Sequence, residues 1–203
     1  LNGYEGYDQA FQNEPYRSLD YFASGGLYQY GSTIWNLYIH ENFGDSAVKN
    51  IWETPISGTV SAMNNYFTNN GSNFVDEFTK FSSWRYFTGS RAHGNYYEGE
   101  FEEADNISPV AITRTATGAL VNYTPPSNKL PDHLGVNYVK INRGSGSQDN
   151  LLIQFDGDAN YNWKLKVYTH QGTLDGGFEI PVDLNADGFA VLNNWTSYNS
   201  ATI

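Results

Sequence analysis

Asn73-Phe74-Val75-Asp76-Glu77-Phe78-Thr79-Lys80-Phe81-Ser82-Ser83-Trp84-Arg85-Tyr86-Phe87-Thr88 decides the first half of the fold. Phe74, Phe78, Phe81 and Arg85 recur at steps of three and four, and Val75 and Trp84 widen the stripe, so the spacing predicts one amphipathic helix over 73–88. Ser72 stands where an N-cap belongs, and Gly89 stands where the chain leaves the helix. Outward from this stretch the same period recurs. Thr59 to Thr68 reads as a helix with Val60, Met63 and Phe67 inward, closed by Gly71. Ser46 to Glu53 reads as another, capped by Asp45, with Val48, Ile51 and Trp52 on one apolar face and Pro55 as its stop. Tyr30 to Phe43 places Ile34, Leu37, Tyr38 and Glu41 at helical spacing before Gly44.

Beyond the acidic stretch Glu98 to Asp105 the period changes to two. Val110 to Arg114, Gly135 to Ile141, Asn150 to Phe155, Trp163 to Tyr168, Phe178 to Val182 and Phe189 to Leu192 read as strands, separated by Pro- and Gly-rich turns. That spacing predicts an antiparallel β-sandwich over 106–203, after a helical domain over 1–105, and hence an α+β fold. Ser200-Ala201-Thr202-Ile203 begins like a further strand. Its short length suggests completion by an identical copy through this C-terminal strand, or a chain that continues.

The 203 residues carry 11 Lys+Arg against 22 Asp+Glu, for a net charge of -11, with no basic cluster, which excludes nucleic acid and anionic membranes as natural partners. The imbalance is uneven: residues 1–105 hold 14 acidic and 5 basic residues, residues 106–203 hold 8 and 6. The absence of Cys removes disulfide scaffolds, thiolate zinc sites and cysteine nucleophiles together. No apolar run reaches the roughly 18 residues of a membrane span. Sixteen Tyr, 12 Phe, 5 Trp and 23 Asn suit a secreted, extracellular protein, since Tyr and Trp bury a ring while keeping a polar tip wet and Asn makes turns.

No complete active site is legible. His40-Glu41 begins a zinc-protease pattern, but the fourth position on is Gly44, so the pair reads as a histidine at a helix C-terminus. His93, His133 and His170 lie apart, and Gly144-Ser145-Gly146-Ser147 reads as a flexible connection. Glu98, Glu100, Glu102 and Glu103 beside Tyr96 and Tyr97 have the residue types of a glycosidase acid/base pair and read more simply as a solvated connector. The best metal candidate is Asp183, Asn185 and Asp187, which place oxygens at alternate positions before Gly188 as in the first half of a calcium loop. Position twelve of such a loop is Asn194, and a tight hairpin turn explains the same residues. Asp156-Gly157-Asp158-Ala159-Asn160 repeats the ambiguity. Tyr161, Trp163, Trp195 and Tyr198 are candidates for a sugar platform of an adhesion module, with Trp163 read as core-facing.

Tyr30-Gly31-Ser32, Trp35, Tyr38, Glu41, Phe43-Gly44-Asp45 and Ile51-Trp52-Glu53 resemble the post-catalytic helices of a family of secreted, gluzincin-like zinc metalloproteases of bacteria and archaea. Phe74, Phe78, Phe81, Trp84-Arg85-Tyr86-Phe87-Thr88-Gly89-Ser90-Arg91 and Tyr97-Glu98-Gly99 are similar to that family's W-N-Y-F-T-G-x-R … Y-E-G signature, with Arg85 in place of Asn. Leu134 to Tyr138 and Leu151 to Asp156 are similar to its C-terminal sandwich. The resemblance implies a zinc motif on an upstream catalytic segment preceding Leu1, so none of its ligands falls on this chain. Zinc then enters only with that segment. The competing expectations are a self-assembling extracellular subunit and a calcium- or glycan-binding module.

Overall fold

The computed structural model describes residues 6–92, 99–118, 122–146, 148–171 and 174–203. In chain order the helices are α1 (Tyr7–Asn13), α2 (Tyr28–Gly31), α3 (Thr33–Phe43), α4 (Ala47–Trp52), α5 (Thr59–Asn69) and α6 (Phe74–Tyr86). The strands are β1 (Arg114–Thr117), β2 (Val139–Asn142), β3 (Leu151–Asp156), β4 (Leu165–His170), β5 (Leu174–Ile180), β6 (Asp187–Leu192) and β7 (Ser200–Thr202). The fold is therefore α+β, with helices first and strands after them. Among the described residues no helix is long and apolar enough to cross a membrane.

Aromatic rings hold the helices together. Trp35 of α3 stacks on Tyr38 at 5.4 Å and meets Phe81 of α6 edge-on at 4.9 Å, and Tyr38 meets Trp84 edge-on at 5.0 Å. Phe67 of α5 closes on the same Trp35, and Phe11, Tyr38, Phe67 and Phe81 are each 0% exposed. Each such burial stabilises by about 2–3 kcal/mol before entropy is counted. Phe74, Phe81, Trp84 and Arg85 of the α6 stripe thus face inward as the period demands, whereas Val75, expected to widen the stripe, is 44% exposed.

Several local expectations are corrected. The cap of α6 is Asn73, whose extended backbone lets its Oδ1 accept the Asp76 N–H at 3.0 Å, while the Ser72 hydroxyl donates to Glu77 instead. Asp45 caps nothing at α4, where Ser46 precedes the helix without a side-chain cap. Trp52, expected inside, is 78% exposed, and Val60 of α5 also faces out. The helix expected from Tyr30 starts earlier and is interrupted at Ser32, giving α2 and α3. Gly31 passes so close to α1 that a Cβ there would lie 2.1 Å from the Tyr7 carbonyl oxygen, so only glycine fits. Helix α1 itself carries no sequence-based expectation.

The strands form one sheet ordered β1-β2-β7-β4-β5 and a pair β3-β6. The expectation of wholly antiparallel pairing fails at one place: β1 and β2 run parallel, with Arg114 opposite Val139 and Thr117 opposite Asn142. The connection between them, about twenty residues, has the length a parallel crossover requires. The short β7 lies between β2 and β4, with Ala201 opposite both Ile141 and Thr169. Ile203 and Val139 exchange backbone hydrogen bonds at 2.8 and 2.9 Å. Both edges of β7 are taken, so it offers no seat for a partner strand. Ile141, Val167, Ile180 and Ala201 share one apolar cluster with Ile153 and Leu192 of the two-stranded pair and with Trp195.

The chain divides into two compact units, Leu1–Ala111 and Ile112–Ile203. Residues 106–111 stay with the helices. The Ser108 N–H donates to Asp8 Oδ2 at 2.6 Å, the Ala111 N–H to the Gln12 carbonyl at 2.8 Å, and Arg91 Nη2 to the Val110 carbonyl.

Candidate functional site

The two Asp-rich runs meet at one end of the β3–β6 pair, where the register sets Asp156 opposite Asp187 and the Gly157 N–H donates to the Ala186 carbonyl at 2.9 Å. Their oxygens hold the turns. Asp183 Oδ1 accepts the N–H groups of Asn185 and Asp187 at 2.7 and 3.1 Å, and Asp158 Oδ1 accepts that of Asn160 at 2.9 Å. Among the described residues no group of three or more His, Asp or Glu is placed to hold a metal ion. Calcium at Asp183, Asn185 and Asp187 stays an expectation from spacing, which melting in calcium against chelator tests directly.

The other candidates scatter. His40 lies in the last turn of α3 with Nδ1 3.6 Å from the Asp45 carboxylate, as a C-terminal histidine should. His93, Tyr96, Tyr97 and Glu98 lie outside the described residues. The Glu102 N–H donates to both oxygens of Glu41, at 3.4 and 3.2 Å. Burial pushes the Glu41 carboxyl above its usual pKa, with the Glu102 hydrogen bond opposing and the charges of Glu102 and Glu103 adding to the rise. Trp195 is 2% exposed in the strand-unit core. Trp163 packs on Phe155 at 5.3 Å and donates to the Asp158 carbonyl, leaving only Tyr161 of the sugar candidates well exposed.

Two buried polar centres organise the helices. Glu77, almost fully buried, accepts from Tyr38 Oη at 2.6 Å, from Lys80 Nζ at 2.7 Å and from the Ser72 hydroxyl. Burial alone would raise its pKa, but those hydrogen bonds outweigh it and hold the carboxyl below its ordinary value. Arg85 is the second centre: its guanidinium lies 3.8 Å over the Phe11 ring, Nε donates to Gln12 Oε1 at 3.0 Å, and Nη2 donates to the Phe11 carbonyl at 3.1 Å. Gln12, 0% exposed, passes its own N–H groups to Thr88 Oγ1 and the Ser108 carbonyl at 3.1 and 3.0 Å. Sequence reasoning found Arg85 on the stripe and missed Gln12, whose polar side chain carries no signal of burial.

A cleft of about 250 Å³ opens between α3, α4 and α5. Ile39, Val48, Ile51, Ala62 and Met63 line it with aliphatic and thioether groups, and the exposed Trp52 and Ile56 also border it. Asn36, Thr54 and Thr59 supply its polar side chains. The exposure of Trp52 is what makes the cleft a candidate, and periodicity had turned that residue inward.

Comparison with family models, with curated proteins and with solved structures returns no match.

Proposed function

We propose that this chain is the non-catalytic, C-terminal part of a secreted zinc metalloprotease of gluzincin-like type, whose zinc motif lies on an upstream segment. One observation carries the reading: the positions that bear the resemblance pack against one another. Trp35, Tyr38, Phe81 and Trp84 form one aromatic core. The T-G-x-R positions form the corner where α6 ends. There the Thr88 hydroxyl donates to the Arg85 carbonyl at 2.9 Å, and Arg91 Nε donates to the Tyr86 carbonyl at 2.7 Å. Gly89 takes φ 56° where a Cβ would lie 2.7 Å from Pro109. A signature made of packing and corner residues suits a scaffold that buttresses chemistry supplied elsewhere. For the strand unit we propose a small two-layer sandwich, supported by the apolar cluster that draws on both sheets.

The test is the longer reading frame, expressed with its upstream sequence. Bound zinc and chelator-sensitive peptide cleavage are expected, and a longer chain that neither binds zinc nor cleaves peptides overturns the proposal.

A further inference from the structure

We infer that the cleft between α3, α4 and α5 docks a bulky apolar side chain of a cationic polypeptide segment. This goes beyond the protease reading and stands without it. Depth and chemistry choose the class of occupant. At about 250 Å³ the space falls below the roughly 300–1,000 Å³ of pockets for drug-sized ligands and suits a single side chain or ring. Its lining at Ile39, Ile51, Ala62 and Met63 offers no polar side-chain group, and these four are buried or half-buried, so a sugar entering there would leave hydroxyls without partners. An aliphatic or aromatic side chain loses nothing there and gains contact with the Trp52 indole. The Asn36 amide and Thr59 hydroxyl, both on exposed residues, are the groups a flanking peptide backbone needs.

Charge chooses the segment. None of the eleven lining residues is ionisable, whereas the unit around them holds 14 acidic and 5 basic residues. The basic ones are committed: Arg17 pairs with Glu14, Lys49 with Glu53 and Lys80 with Glu77, Arg85 is buried, and Arg91 bonds backbone carbonyls. The resulting negative field attracts Lys- or Arg-flanked segments and repels acidic ones.

The experiment titrates the whole 203-residue chain by calorimetry with the peptides acetyl-KKGXGKK-amide, where X is Phe, Leu or Ala, and with acetyl-EEGFGEE-amide. Phe and Leu should bind about tenfold or more tighter than Ala. The acidic peptide should not bind, and affinity should fall as salt rises. Trp52→Ala, at an exposed position, and Asn36→Trp, which adds bulk at the cleft mouth, should each remove the Phe-over-Ala preference with the melting temperature unchanged. The inference is overturned by absent binding, by equal affinity for Phe and Ala, by a preference that survives either variant, or by a neutral oligosaccharide that binds through Trp52 where the peptides do not. No arm reads zinc or proteolysis, so failure here and failure of the protease reading remain distinct.

Discussion

Arg85 shows how one side chain recruits an element that has little hold of its own. Helix α1 has seven residues, too few to persist by local hydrogen bonding, and beside its bonds to Thr88, Ser108 and Ala111 it is held by the Arg85 guanidinium on the Phe11 ring and carbonyl and on Gln12. Arg85→Ala should therefore cost about 2–4 kcal/mol, read as a fall of roughly 10 °C in melting temperature, because the buried oxygens of Phe11 and Gln12 lose these donors. Glu77 makes a pH-dependent prediction. Its folded pKa is depressed, so it binds fewer protons folded than unfolded, and its stabilisation is present above the usual carboxylate pKa of about 4.3 and lost as pH falls through the lower folded value. Glu77→Gln should lower the melting temperature at pH 7 by an amount worth about 1–3 kcal/mol, and the gap to the parent should close in acid. A gap that persists unchanged in acid would assign the loss to packing instead.

At the scale of elements, legibility followed how local the deciding interaction was. The stripes of α5 and α6 and the terminating Gly44 are written within a few turns of chain, and α3, α5, α6 and β6 lie close to where the period set them. Helix α1 was invisible because Asp8 and Gln12 on it are polar and buried, their partners lying about 70 to 100 residues away. Trp52 was misread because adjacent residues stand about 100° apart on a helix, so in the six-residue α4 the buried Ile51 leaves Trp52 outside. The cleft was illegible for the same reason that pairing is: it joins residues from three helices. Strand β7 is the clearest case, being three residues long and fixed entirely by its two neighbours. Ala201→Pro should abolish the β-sheet circular dichroism signal, since proline removes a ladder donor and fits poorly in a central strand, while Thr117→Pro at the end of the edge strand β1 should be tolerated. Equal damage from both would contradict the observed strand order.

Over the whole molecule, charge and core divide together. Each unit has its own buried cluster, so fragments 1–111 and 112–203 should each fold when expressed separately, with cooperative melts read by circular dichroism. They should differ in salt response. The helical fragment, with 14 acidic and 5 basic residues, repels itself and should melt several degrees higher in about 0.5 M salt than in about 10 mM, whereas the strand fragment, with 8 and 6, should barely move. A helical fragment indifferent to salt would show that its acidic residues are already compensated locally.

The placement of β7 between β2 and β4 also sets a timetable for synthesis. Its residues Ser200–Thr202 are made some sixty positions after β2, yet the five-stranded sheet has a gap at its middle until they arrive. The nascent chain can finish its helices on the ribosome while β1, β2, β4 and β5 wait as two unjoined fragments with exposed edges. A frameshift or stop codon a few residues before Ser200 would thus leave the helical unit intact and the strand unit sticky, a truncation that quality-control proteases would meet as half a protein.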